Sequence, residues 1–391
     1  MIINDKRALA YVVTIDEIKP IEGYDRVEYA RTNGWWVIIG KNDNLQVGDK
    51  CVYFEVDSKV NAEDERFAFL EKRNYKIKTQ KMCKVISQGL LMPLSLFPEI
   101  ENADVNTDVT DTLKVTYAAE EDNARKGKVD PDAKYKSMAA RHQKIFKQPW
   151  ARWFMRRKWG RKLMFMFFGK KKDNPRTFPT HFPFVHKTDE ERCENMPWVL
   201  GYERPLIVTE KLDGTSSTYI LERKKHKKYE FYVLSRNVRQ ADEKQECYHD
   251  HNIYWDMAFK YNIEQHLREY LEQNSDCPYV CIQGESVGSV QGNPLKLVED
   301  DFYCFNFIDG RIGRVDSVTG KDIVAAWGIK WVPILDEHYM VPNNMEEFKQ
   351  FATAKSVVNP NVLREGIVLR DPTNDFSFKN VSREYLLKHN G

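Results

Sequence analysis

Between Lys134 and Lys172 the chain carries fourteen lysines and arginines, no aspartate or glutamate, and nine aromatic residues. This break in composition separates two strand-rich regions, and with 391 residues and 42% hydrophobic content two domains are the first expectation. The first region reads as short strands between turn signals, among them Trp35–Ile39, Cys51–Val56 and Gly89–Leu94. That spacing predicts a small barrel or sandwich. The second region starts near Phe178, with strands predicted over 205–210, 215–221, 230–235, 279–284, 302–308, 366–370 and 376–380, and a helix from Ile253 to Leu271. An α+β domain built on antiparallel sheet follows. The expected division is 1–105, 106–178 and 179–391.

The barrel reading has two forms. An OB-type barrel would use strands such as the one led by Val47-Gly48-Asp49-Lys50 to present aromatic and basic side chains to a nucleic acid; the same barrel could equally be a packing partner only. In the basic segment, Trp150, Trp153 and Phe154 have helical spacing, with Arg152, Arg156, Arg157 and Lys158 around them. A strip of this kind attracts phosphates in a salt-dependent, sequence-independent way. A solvated linker and an interfacial helix are the competing readings.

A net charge of +2 says little about partners. The seven cysteines are odd in number and form no CxxC pair, which argues against a disulfide framework or structural zinc and for a reducing compartment. No leader pattern opens the chain, and its longest apolar run nearby, Leu163 to Phe168, is too short to span a bilayer. A soluble intracellular protein with no membrane partner is expected, cytoplasmic or nuclear left open.

Chemistry concentrates in the second region. Glu210-Lys211-Leu212-Asp213-Gly214-Thr215 sets a lysine at a strand-loop-strand junction, beside a glycine that permits close approach of a ligand. Lys211, Arg236, Glu285, Glu365 and Lys379 each lie at or beside a predicted strand, and together they suggest a site for phosphate and metal. Singly, each would be read as a charge facing water. Tyr248-His249-Asp250-His251 reads as a polar loop rather than a zinc site, and Cys277 and Cys281 as packing residues.

Six ordered runs resemble the motifs of the covalent nucleotidyltransferase superfamily of ligases and capping enzymes: Lys211-Leu212-Asp213-Gly214, Ser235-Arg236-Asn237, Gln283-Gly284-Glu285-Ser286, Tyr303-Cys304-Phe305-Asn306, Glu365-Gly366-Ile367-Val368-Leu369 and Ser377-Phe378-Lys379. Within it, Val47–Ser58 and Lys187-Thr188-Asp189-Glu190-Glu191-Arg192 resemble ATP-dependent RNA ligases with an N-terminal OB module, sometimes counted as the fifth RNA ligase family. Only twelve residues follow Lys379, so the barrel stands before the catalytic domain and not after it, unlike the usual order in DNA ligases and capping enzymes.

The resemblance implies an adenylyltransferase domain that joins 3′-hydroxyl to 5′-phosphate RNA ends, in nicked duplex RNA or an RNA–DNA hybrid, with ATP and Mg²⁺ or Mn²⁺. It makes Lys211 the adenylylated residue, with Asp213 and Lys379 as further catalytic groups. Glu365 and Glu285 become candidates for the metal. Glu210, Gly214, Arg236, Glu285, Phe305 and Lys379 become the nucleotide site, in which Phe305 stacks on adenine, Glu210 accepts from its exocyclic amine and Glu285 holds the ribose. A lysine amine attacks only when neutral, so a lowered pKa is expected at Lys211, from burial, Lys379 and a metal. Related ligases often carry a second lysine two positions after the one matched by Lys379; here that position is Val381, leaving Arg383 and Lys388 as substitutes. A DNA ligase, a capping guanylyltransferase and a non-catalytic nucleic-acid-binding protein are the alternatives.

Overall fold

The computed structural model describes residues 1–3, 6–117, 143–146, 148–155, 157–168, 178–179, 181–186, 188–240 and 252–389. They form two compact units, Met1–Val115 with Arg176–Gly391, and Thr116–Pro175. Lys187, Cys247 and the Tyr248–His251 loop lie outside the described residues, as do 134–142, 147, 156 and 169–172 of the basic segment.

Alternation of large apolar residues builds the barrel. Its strands are β1 (Ala10–Thr14), β2 (Glu17–Ile21), β3 (Tyr24–Thr32), β4 (Trp35–Gly40), β5 (Lys50–Phe54), β6 (Gln80–Met82), β7 (Val85–Ser87) and β8 (Leu90–Pro93). Tyr11, Val13 and Ile15 point inward at every second position and meet Trp35, Val37, Ile39, Cys51, Tyr53 and Leu91. β1 and β2 behave as one bent strand, since Asp16 N donates to Arg31 O just past the end of β1. β2 pairs with β3, β3 with β4, and β5 with both β1 and β8. Gln88 N donates to Trp36 O at 2.9 Å and joins the entry to β8 to β4, which closes the circuit. The β3–β4 hairpin turns on Asn33-Gly34, both at positive φ, as a two-residue turn of matching twist requires.

Among the described residues of Thr116–Pro175, α1 (Pro149–Met155) and α2 (Lys158–Phe168) pack around Phe146, Ala151 and Met164. The helical spacing read at Trp150, Trp153 and Phe154 is therefore present. Trp150, Trp153 and Trp159 are exposed, and the Arg157 guanidinium lies 3.6 Å from the Trp153 ring centre. No helix among the described residues is long and apolar enough to cross a membrane.

The remaining residues build two facing sheets. One has the order β9 (Glu191–Arg192), β17, β16, β10 (Leu206–Lys211), β15; the other runs β12, β11 (Thr215–Arg223), β13, β14. Here β12 is Tyr229–Ser235, β13 Tyr279–Val287, β14 Asp301–Asp309, β15 Ile334–Tyr339, β16 Gly366–Arg370 and β17 Ser377–Val381. Pairing is antiparallel apart from short parallel contacts, of which β9 with β17 bears on the site. Five strand predictions fall within a residue of these bounds; that over 215–221 stops two residues short of the end of β11 and that over 279–284 three short of the end of β13. The predicted helix over 253–271 is instead two, α3 (Ile253–Lys260) and α4 (Ile263–Gln273), because Asn262 takes the left-handed conformation and breaks the ladder. Both pack on the second sheet through Ile253, Met257, Ile263, Leu267 and Leu271. The first sheet buries Val208, Ile367, Leu369 and Phe378 against Phe348 of α5 (Met345–Ala352). The chain ends in α6 (Arg383–His389).

Barrel and sheets meet through specific contacts. Arg383 donates to Gly34 O at 2.8 Å and pairs with Glu346 at 3.0 Å, which Arg31 also approaches. Ile86 of β7 packs on Val381 and Leu386. All six described cysteines are free, and Cys277 and Cys281 are buried packing residues as expected.

Candidate active site

The crossing from β10 to β11 carries the chain from one sheet to the other, and Lys211 sits where it leaves. Its backbone pairs with Gly366, so Glu365 is held beside it, and Lys211 Nζ donates to Glu365 Oε2 at 2.7 Å. Gly214 is required here: a Cβ would lie 2.3 Å from Ser286 O. Across the cleft, β11 pairs with β13 in a register that sets Ser216 opposite Glu285. Asp213 accepts from Tyr385 OH of α6 at 2.5 Å, which ties the loop to the C-terminal helix.

These residues line a cavity of about 370 Å³, whose wall also includes the other residues assigned from the motifs: Glu210, Lys211, Asp213, Gly214, Arg236, Glu285, Phe305, Glu365 and Lys379 all face it. Arg236 and Lys379 converge on Asp189 from opposite sheets, Lys379 at 3.2 Å. Glu210 Oε2 accepts from Val357 N at 2.8 Å, whereas its buried Oε1 has no partner within the protein. An orphaned carboxylate oxygen on a cavity wall is costly unless a ligand donates to it. Phe305 forms another part of the wall, with the Arg370 guanidinium 5.5 Å from its ring centre.

Electrostatics depart from expectation at Lys211. Burial alone would lower the Lys211 pKa, but Glu365, Glu285 and Asp213 outweigh it and raise it above the usual lysine value. Lys379, expected to oppose this, is drawn toward Asp189 and is itself lowered by burial and by its neighbours Lys211 and Arg192. Burial pushes Glu285 up to about 8, against the pull of Lys211 and with the help of Glu365 and Asp213. The site holds its lysine as an ammonium clamped by a carboxylate.

Neither Arg383 nor Lys388 is on the cavity wall; Arg383 is engaged with the barrel. The wall cations that sequence reading passed over are Arg192 and Arg370. Arg192 lies opposite Lys379 in the β9–β17 register. Arg370 hydrogen-bonds Thr209 and Glu190, each at 3.1 Å. The run Asp189-Glu190-Glu191-Arg192 was the available signal for Arg192. Among the described residues no cluster of three or more His, Cys, Asp or Glu forms a ready metal cage. A divalent ion could still be held by Glu365 or Glu285 with ligand phosphate oxygens, the mode usual for Mg²⁺.

Residues 204–384 match the RNA ligase family and residues 9–94 an OB-fold domain. No curated protein matches the chain by sequence. Among solved structures, Naegleria gruberi RNA ligase with PPi is 27% identical, with a TM-score of 0.64 over 98% of this chain and 99% of that one. A mutant of the same enzyme with ATP and Mn is 27% identical, with a TM-score of 0.66 and the same coverage. Another mutant, with AMP and Mn, gives the same identity, score and coverage. Residues 204–384 thus form an RNA ligase family domain, preceded by an OB-fold domain over residues 9–94.

Proposed function

We propose that this protein is an ATP-dependent ligase that seals RNA breaks bearing a 3′-hydroxyl and a 5′-phosphate, in nicked duplex RNA or an RNA–DNA hybrid, and serves RNA repair. The observation that carries the reading is the meeting in one cavity of Lys211, Glu365, Glu285 and Lys379 with the unpartnered Glu210 oxygen and the Phe305 ring. The similar Naegleria enzyme has been solved with ATP and Mn and with AMP and Mn, which supports the same ligands here.

In the first step Lys211 Nζ forms a bond to the α-phosphorus of ATP while the bond to pyrophosphate breaks. The amine must first leave Glu365 and give up a proton, because only the neutral form carries the lone pair. Glu365, and Glu285 beside it, then offer oxygens to Mg²⁺ or Mn²⁺, which would neutralise charge at the α-phosphate. Lys379 and Arg192 face that charge from β17 and β9. Asp213, fixed by Tyr385, sets the loop that carries the nucleophile. Phe305 stacks on adenine, Glu210 accepts from the exocyclic amine, Glu285 holds ribose hydroxyls, and Arg236 meets the ribose or the RNA end. AMP then passes to the 5′-phosphate of the RNA, and attack by the 3′-hydroxyl releases it and restores the phosphodiester. We further assign residues 1–105 to the OB domain, 106–178 to a basic connecting segment and 179–391 to the catalytic domain, and an intracellular setting from the free cysteines.

The test is incubation with α-labelled ATP or GTP and Mg²⁺ or Mn²⁺, followed by denaturing electrophoresis of wild type and Lys211→Ala. Label from ATP alone, absent in the variant, is expected, followed by sealing of a nicked RNA duplex. Label from GTP would make the enzyme a capping type, and no label from either nucleotide would remove the first step.

A further inference from the structure

OB barrels usually receive nucleic acid on the face of their second and third strands and on the loops that follow the first and fourth. Counting the bent β1–β2 unit as the first, the second and third strands here are β3 and β4, and their face is already occupied. Trp36 is 5% exposed, stacked on Tyr29 and approached by Arg383, while Arg31 meets Glu346 and Gly34 O accepts from Arg383. The catalytic domain covers the surface where an oligonucleotide would ordinarily lie.

The connection from the fourth strand to the fifth, β5 to β8, is where the chain has added material. It holds a 3₁₀ segment, Glu65–Arg73, and the β6–β7 hairpin, whose tip Cys83-Lys84 takes two left-handed residues. From Lys72 to Pro98 the sequence has six lysines and arginines and no aspartate or glutamate. Arg73, Lys76, Lys78 and Lys81, with Thr79 and Gln80, line an open concavity of about 560 Å³. Arg73, Lys78 and Lys81 are exposed. The surface combines concentrated positive charge with polar donors, which fits phosphodiester oxygens better than an apolar partner.

The β6–β7 hairpin, in which Lys81 pairs with Ile86, is anchored on the side of the active site. Ile38 N donates to Ser87 Oγ at 3.0 Å, Tyr29 OH donates to Ile86 O, and the Ile86 side chain packs on Val381 and Leu386. Val381 is itself on the wall of the catalytic cavity. We infer that the concavity formed by Arg73, Lys76, Lys78 and Lys81 in the β5–β8 connection binds the sugar-phosphate backbone of the RNA substrate beside the break. This inference rests on the RNA ligase reading and names where its substrate is held.

The test is binding of a nicked RNA duplex, followed by fluorescence anisotropy across about 50 to 200 mM salt. It compares wild type, Arg73→Ala/Lys78→Ala/Lys81→Ala, and the charge-preserving Arg73→Lys/Lys78→Arg/Lys81→Arg. For each phosphate that it no longer neutralises, the alanine variant should bind roughly five- to tenfold more weakly at about 0.1 M salt, and the slope of log affinity against log salt should flatten by about 0.9. The charge-preserving variant should keep most of both. ATP labelling of Lys211, a reaction without RNA, reads folding and chemistry separately. An alanine variant that labels normally and binds RNA with wild-type affinity and slope overturns the inference. So does one that loses labelling together with binding while the charge-preserving variant loses both equally, since the residues would then support the fold. Failure of the wild type to label would instead count against the ligase reading, whatever the binding shows.

Discussion

Replacing Lys349 by methionine should destabilise the protein far more than a surface charge change would. Lys349 on α5 places Nζ 2.5 Å from Glu194 Oε1 and 3.0 Å from Val381 O, with the two side chains 4% and 1% exposed. Without the ammonium, Glu194 is a buried carboxylate whose main counter-charge has gone, and breaking such a pair from one side costs about 3–5 kcal/mol. The pH dependence gives an independent reading. Burial would raise the Glu194 carboxyl, but Lys349 and Arg192 outweigh it and hold it at about 2 against an ordinary 4.5. A folded pKa below the unfolded one means that the unfolded chain binds the extra proton. The pair's contribution, about 3 kcal/mol at 1.36 per unit, is therefore present above pH 4.5 and lost as pH falls toward 2. In Lys349→Met burial dominates, the carboxyl moves above 4.5, and the sign reverses: that carboxyl then favours folding more as the pH is lowered. Urea unfolding followed by tryptophan fluorescence, at neutral pH and at successively lower pH, measures both effects. Glu194→Gln/Lys349→Met should recover much of the loss, because neither charge is then left alone. A single variant within about 1 kcal/mol of wild type, well under the expected cost of a broken buried pair, would refute the argument, as would an unchanged pH slope.

Three further outcomes are expected around the nucleotide. Glu210→Gln keeps an oxygen for Val357 N but turns an amide nitrogen or a weaker acceptor toward the adenine amine; KM for ATP in the labelling reaction should rise roughly ten- to a hundredfold, and an unchanged KM would remove Glu210 from base recognition. Phe305→Ala should cost about 1–3 kcal/mol of nucleotide affinity, read as a fivefold or greater rise in KM for ATP. Gly214→Ala places a methyl 2.3 Å from Ser286 O and 2.9 Å from Val287 Cγ1. It should lower the labelling rate and cost about 1–3 kcal/mol in urea unfolding, and a fully active variant would show that the loop relaxes freely.

The candidate site was legible because its residues are written into strand ends. Lys211 and Glu365 are 154 positions apart, yet each adjoins a run with clear strand periodicity, and sheet pairing brings such ends together. The place of Arg192 on the wall was not legible from strand periodicity, for the opposite reason. Arg192 joins the site through a two-residue parallel pairing, too short to leave a period in the sequence. The break at Asn262 was equally invisible, since apolar spacing continues through it from α3 into α4. Strand β15 carries Asp336, Glu337 and His338, which mask alternation, so the edge of the first sheet was not foreseen. The docking of the barrel depends on Arg383, whose charge suggested a phosphate partner. The fold instead supplies Glu346 and a backbone carbonyl, and no local feature of the sequence distinguishes these alternatives.

The clamp between Lys211 and Glu365 bears on how the enzyme avoids premature chemistry. A charge-assisted hydrogen bond of this type is worth about 1.5–3 kcal/mol, and it is among the interactions that raise the Lys211 pKa and so oppose removal of the proton. With Glu365 and Asp213 beside it and Lys379 turned toward Asp189, the Lys211 amine is held in its protonated form. Triphosphate entering this cavity would draw Lys379 and Arg192 toward its own charge. It would also give Glu365 a reason to exchange an ammonium partner for one that bridges to phosphate. Both changes weaken the hold on the Lys211 proton at the moment when an electrophile is within reach. On the ligase reading proposed above, activation of Lys211 would be tied to substrate arrival by the same residues that bind the substrate, and the buried pair of Glu194 with Lys349, which also donates to Val381 O, holds β17 and its Lys379 in place for that exchange.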